Sequence, residues 1–178
     1  FTLLANHISQ KGELRVQRFS KTGLSVNLNT LVKTVEVYGK AGYQQQTFFL
    51  YGPDPSLINS KDDSLKKPYQ TINVRAGVRN AFVTRYGISY NPDLNINVFS
   101  DSRSTETNAV LDAPVEVRFG TSFGLLLRAN ADLTTYAATD SASYSNNVYF
   151  FNAAALLKTS KLYIKAGIRP TWDNGKMK

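Results

Sequence analysis

The strongest pattern in the chain runs from Val115 to Thr135, VEVRFGTSFGLLLRANADLTT. Val115, Val117, Phe119, Phe123, Leu125, Leu127 and Leu133 fall on one set of alternate positions; Glu116, Arg118, Ser122, Arg128, Asn130 and Asp132 fall on the other. Side chains alternate across a strand with a period of two, whereas a helix would scatter both sets around its axis. The stretch therefore predicts β structure with one apolar and one polar face. Read as a single strand it extends on the order of 60 Å, at about 3.3 Å per residue. Strands in soluble sheets are far shorter. A strand that crosses a membrane within a barrel and continues beyond the lipid fits this length.

The same rhythm covers most of the chain. ELRVQRFS (Glu13 to Ser20) and LSVNLNTLV (Leu24 to Val32) flank Lys21-Thr22-Gly23, which reads as a tight hairpin turn. Val35 to Tyr51 alternates, loses phase at Gln44 to Gln46 and resumes with aromatics, so a bulge is expected at the glutamines. Thr71 to Tyr90 reads as a second very long strand, with Ile72, Val74, Ala76, Val78, Phe82 and Ile88 on its apolar face. Leu94 to Ser100, Val148 to Leu157 and Lys161 to Trp172 complete roughly eight strand segments, and no helix is apparent. Longer loops are expected at about residues 52–69, 101–114 and 140–147, and short turns at Lys21–Gly23, Asn91–Asp93 and Lys158–Lys161. An antiparallel meander places the loops at one end of the sheet and the turns at the other. The predicted class is all-β: an antiparallel outer-membrane β-barrel, with residues 1–178 forming one barrel domain or a portion of one.

Composition narrows the functions that remain. With 42% hydrophobic and 19% charged residues, the 178-residue chain is not disordered by composition. Its ten Tyr, ten Phe and one Trp suit both sheets and lipid interfaces. The absence of Cys excludes disulfides, zinc–thiolate sites and a cysteine nucleophile. A net charge of +8 raises nucleic acid as a partner, but the basic residues are spread along strands and loops, so none is expected. His7 has no second ligand at metal-binding spacing, and Asp54 with Asp62-Asp63 lacks the alternating oxygen pattern of a calcium loop. The glycines of GKAG and GTSFG lack the strand-to-helix context of a phosphate loop. With no convergent catalytic set, no enzyme activity, metal or cofactor is expected.

The polar strand faces are more informative. Arg75, Arg79, Arg85, Arg118, Arg128 and Lys165, with Glu116 and Asp132, are the candidate lumen-facing residues. They form either a positively lined solute path or a hydrated, salt-bridged interior in which the two acids neutralise part of the charge. Phe48, Phe49, Tyr51, Tyr86, Tyr90 and Trp172 are the candidate membrane-girdle aromatics.

At the C-terminal stretch, LYIKAGIRPTWDNGKMK (Leu162 to Lys178) resembles strand and turn sequence of Bacteroidota outer-membrane barrels of the TonB-dependent-receptor-like kind. That resemblance implies a many-stranded barrel with a plug, placed in the cell outer membrane and serving nutrient import or envelope assembly. It also implies outer-membrane lipid or lipopolysaccharide as surroundings, with other envelope proteins or the remainder of the barrel as partners. No plug-like stretch is recognisable, and Asp173-Asn174-Gly175 reads as a turn into a further strand, so an internal or incomplete portion of a larger barrel is expected. A soluble β-barrel or β-sandwich that binds a ligand, and a complete small eight-stranded structural membrane barrel, are the alternatives.

Overall fold

Alternation carries most of the chain into strand. The computed structural model describes residues 1–12, 18–49, 66–82, 84–139, 143–174 and 176–177. In chain order the strands are β1 (Thr2–Lys11), β2 (Arg18–Val32), β3 (Val35–Phe49), β4 (Lys66–Asn80), β5 (Ile88–Tyr90) and β6 (Asp93–Asp101). They continue with β7 (Ser104–Phe119), β8 (Phe123–Ala138), β9 (Tyr144–Lys158), β10 (Tyr163–Ile168), β11 (Thr171–Asp173) and β12 (Lys176–Met177). All belong to one antiparallel sheet, ordered β1-β2-β3-β4-β6-β7-β8-β9-β11-β12, with β10 beside β9 and β5 beside β7. Among the described residues this order is open: β1 at one edge does not meet β12 at the other.

The stretch read as one very long strand is a hairpin. Phe119 pairs with Phe123 across Gly120, Thr121 and Ser122, and Gly120 adopts the left-handed φ of 67° that the turn needs. A three-residue loop preserves parity, so odd-numbered residues face the same way in both arms. The alternation therefore passes through the turn unbroken, which is why it reads as continuous.

Other expectations are corrected in the same physical terms. Lys21–Gly23 lies inside β2, and the turn falls at Lys33-Thr34, where Lys33 takes a φ of 56°. Gln44, Gln45 and Gln46 stay in register with Gly23, Thr22 and Lys21, so no bulge interrupts β3. Residues 104–114, expected as loop, begin β7. The preceding turn is tight because the Asp101 carboxylate accepts the backbone N–H of Arg103 at 2.7 Å and of Ser104 at 2.6 Å.

The second long pattern breaks after Asn80. Its side-chain amide donates to the carbonyls of Phe82 (2.7 Å) and Ile88 (3.1 Å), and its oxygen accepts the Tyr90 N–H (2.8 Å). These bonds replace strand pairing, and β5 joins β7 instead. Tyr51, residues 13–17, the greater part of the 52–69 loop, and residues 140–142 lie outside the described residues.

The antiparallel order puts the turns at 33–34, 120–122 and 159–162 at one end, together with the segment from 81 to 92. The connections after β3, after β6 and after β8 leave from the opposite end. The connections after β3, β6 and β8 thus share one end as expected, and those near 91–93 and 158–161 the other, but the connection after β6 is a tight turn and the long segment from 81 to 92 lies at the end expected to hold only short turns.

The sheet is a single layer, and both of its faces are exposed. Among the described residues only Ala154 is buried, at 2% exposure. The hydrophobic side chains instead line up on one surface. A row running Val26–Ala41–Val74–Ile96–Ala109–Leu133 crosses six strands, and nearby Leu28 and Leu111 are 49% and 48% exposed. Toward the turn end this face stays apolar. Toward the other end it becomes polar at the row Thr22–Gln45–Gln70–Ser100–Thr105. On β8 the apolar span runs from Phe123 to Leu133. At about 3.3 Å per residue and a tilt of about 40°, that span rises roughly 25 Å, the height of the lipid-facing band of a membrane barrel.

Candidate functional site on the polar face

The opposite face carries the charged and amide side chains, brought together by register rather than by sequence proximity. Tyr38 on β3 lies opposite Gly77 on β4. A Cβ at position 77 would run into the Tyr38 ring and the Asp93 side chain, so glycine makes the room in which the ring lies across the sheet. The guanidinium groups of Arg75 and Arg79 stand 5.8 and 5.7 Å from that ring. Arg75 pairs with Asp93 at 2.8 Å, and Arg79 grips Glu36 through two bonds of 2.7 Å. The Tyr38 hydroxyl donates to Asn91 at 3.0 Å and to Asp93 at 3.4 Å.

A second cluster lies across β7, β8 and β9. Arg128 forms a two-pronged pair with Asp112, at 2.6 and 2.8 Å, and stands 5.7 Å from the Phe150 ring. The Arg169 guanidinium lies closer over the same ring, at 3.9 Å.

On the side of both clusters away from the short turns runs a row of short polar side chains, Asn73–Asn97–Asn108–Thr134–Asn146, one from each of five neighbouring strands. Asn73 donates to Asn95 at 3.0 Å and to Asn97 at 2.5 Å, while Asn108 donates to Asp132 at 2.7 Å and to Thr134 at 2.9 Å. These bonds satisfy polar groups across the sheet and fix the side-chain directions.

Five of the six basic candidates share this face. Arg75, Arg79 and Arg128 sit in the clusters just described. Arg118 pairs with Glu116 at 2.7 Å near the turn end, and Lys165 lies in its row through Gly124 and Leu156. Arg85 instead belongs to the turn between β4 and β5. Asp132 accepts from Asn108 and Thr134, and the acids that meet the other arginines are Glu36, Asp93 and Asp112.

Sequence reading missed those three acids and Tyr38. Their signal was cross-strand partnership, which becomes visible only once the register is known. The paired arginines are about half exposed, with side-chain values of 51%, 50%, 54% and 43%. Pairs this open are screened by solvent and add little to stability, so their main effect is to neutralise the face rather than to hold the sheet together. Among the described residues, no group of three or more His, Cys, Asp or Glu is placed to hold a metal ion.

The girdle candidates divide between the surfaces. Phe49, Tyr90 and Trp172 lie on the apolar face, Phe48 on the polar face, and Tyr86 projects from the turn at 77% exposure. Phe48 has ring neighbours there. Phe19, Phe48, Tyr69 and Phe99 follow one another at centroid separations of 5.1, 5.6 and 5.8 Å.

No family model matches the chain, and no curated protein matches it. Among solved structures, the siderophore receptor PirA from Pseudomonas aeruginosa is similar over 88% of this chain, at a TM-score of 0.55 and 10% identity. The β domain of the Bordetella autotransporter BrkA aligns over 90% of this chain and 73% of its own, at a TM-score of 0.42 and 10% identity. The chain spans 28% of the PirA chain's length. The PirA likeness shows the fold: an antiparallel sheet of the outer-membrane β-barrel type.

Proposed function

We propose that this chain forms barrel wall in the cell outer membrane, with its apolar face against lipid and its polar face toward a hydrated interior that serves solute passage. The observation that carries this reading is the segregation of the two exposed faces. Hydrophobic residues are abundant, yet they form an exposed band about one bilayer core in height while hydrogen-bonded polar groups occupy the other face. The TonB-dependent-receptor-like class suggested by the C-terminal stretch fits a wall of this kind. The wall performs no covalent chemistry, and its partners are lipid or lipopolysaccharide and whatever strands complete the two open edges.

Reconstitution tests the reading. The protein should need detergent to stay monodisperse, should migrate differently in heated and unheated gel samples, and should let small neutral sugars enter liposomes. A monodisperse, folded protein in detergent-free buffer contradicts it. Envelope scaffolding without passage is the second reading. Charge compensation of Arg75, Arg79, Arg118 and Arg128 favours it, because it leaves fewer free cations to draw a solute. Heat-modifiable protein that admits no solute selects scaffolding.

A further inference from the structure

We propose that the polar face carries an oligosaccharide-binding track, formed by Phe19, Phe48, Tyr69 and Phe99 at the end of the sheet opposite the short turns; it rests on the barrel reading above and names a ligand class for that interior. These rings share a face with Arg75 and Asn73, so no lipid covers them. Phe48 and Phe99 are 37% and 41% exposed.

The register makes the track diagonal. Phe19 and Phe48 are direct partners, Tyr69 lies opposite Gln46, and Phe99 is the partner of Thr71. From Phe48 onward each ring therefore sits two residues further from the strand ends than the one before. The next row inward is that of Asn73, Asn97 and Asn108. Beside Phe99, across Glu106, a further ring pair, Tyr136 and Tyr144, stands at 5.2 Å.

The ligand class follows from what alternates along the track. Ring faces offer apolar contact, and Gln44, Gln46 and Thr71 offer amide and hydroxyl groups between them. A pyranose ring matches that pattern: its C–H face packs on an aromatic ring while its hydroxyls exchange hydrogen bonds with the flanking side chains. Lys67, Asp101 and Glu106, the direct partners of Phe48, Tyr69 and Phe99, are of mixed sign, which favours a neutral sugar over a polyanion. Two open hollows meet at Phe48 and the neighbouring Phe49. One, of about 460 Å³, is lined by Gln46, Tyr69, Thr71 and Phe99; the other, of about 600 Å³, by Gln10, Arg18 and Phe19.

The test uses the whole protein in lipid nanodiscs, titrated calorimetrically with maltohexaose, cellohexaose and laminarihexaose. Saturable binding of at least one is expected. Phe48→Ala and Phe99→Ala should each weaken it roughly three- to tenfold, the loss of one aromatic contact. Phe99→Tyr should stay within about twofold, and so should Phe151→Ala on the apolar face. Heat-modifiable migration of the same samples reports the barrel separately. If it is absent, the barrel reading fails. If it is present while none of the three sugars binds, or while the Phe48→Ala/Phe99→Ala double variant binds undiminished, the track proposal is overturned and the barrel stands. Binding of 2,3-dihydroxybenzoate in place of all three sugars also overturns it, assigning the rings to planar aromatic solutes.

Discussion

The two faces of this sheet are built by different rules. The apolar face needs only hydrophobic character at every second position, and Val26, Ala41, Val74, Ile96, Ala109 and Leu133 fill one of its rows without any specific partnership. The polar face depends on identity. Arg79 needs Glu36, Arg128 needs Asp112, and Tyr38 needs the missing side chain of Gly77. One face should thus tolerate any apolar exchange and no charge, while the other should tolerate charge and little change of shape.

The largest expected effect breaks the apolar side of that comparison. Leu127→Arg, near the middle of the β8 band, should destabilise the lipid-inserted protein by about 2–4 kcal/mol in urea titrations from liposomes. The same change at Phe123, which the hairpin places beside the turn at 63% exposure, should cost only about 0–1 kcal/mol. Equal costs at the two sites would mean that depth in lipid does not govern this face.

On the polar face, Gly77→Val should cost about 1–3 kcal/mol, because the new side chain occupies the space of the Tyr38 ring. Tyr38→Ala in the same background should recover much of that loss, as a double-mutant cycle would report. A smaller effect is expected where an exposed pair is opened: Asp112→Asn should cost about 0.2–1 kcal/mol and shift ion preference of a conducting barrel toward anions.

The smallest effect concerns the turn after β6, outside the apolar band. The backbone N–H groups of Arg103 and Ser104 hold the Asp101 carboxyl below the usual carboxylate range. A lowered folded-state pKa means that the stabilisation is complete above the unfolded value, near 3.8, and is lost as pH falls through the lower folded value. Amide exchange at Arg103 and Ser104 should accordingly rise, relative to other turns, only in that acid window. Asp101→Asn should abolish the difference.

Much of the apolar face was legible in the chain, because alternation is a local signal and survives errors in element boundaries. The same property caused the main misreading: the odd-length loop at Gly120–Ser122 keeps phase, so Val117 and Leu125, partners across a hairpin, read as members of one strand. The Asn80 break was hidden for a related reason. Ile88 and Tyr90 keep the parity of Ile72 and Val74, and the turn shows itself in the hydrogen bonds of the Asn80 side chain and the left-handed backbone of Gly87. The basic positions of the polar face were readable, but their partners were not. Glu36 and Arg79 meet through strand register, which no local pattern encodes. Phe48 shows the same limit, since its face is decided by the unbroken register through the glutamines.

The central claim is that alternate residues of β8 face lipid and a hydrated interior. The chain has no native cysteine, so single cysteines at Leu125, Leu126, Leu127 and Arg128 can carry spin labels without background. In liposomes, membrane-soluble oxygen should relax the labels at 125 and 127 most strongly, and a water-soluble nickel chelate those at 126 and 128. Equal accessibility of all four positions to the nickel chelate, or the reverse alternation, would contradict the account.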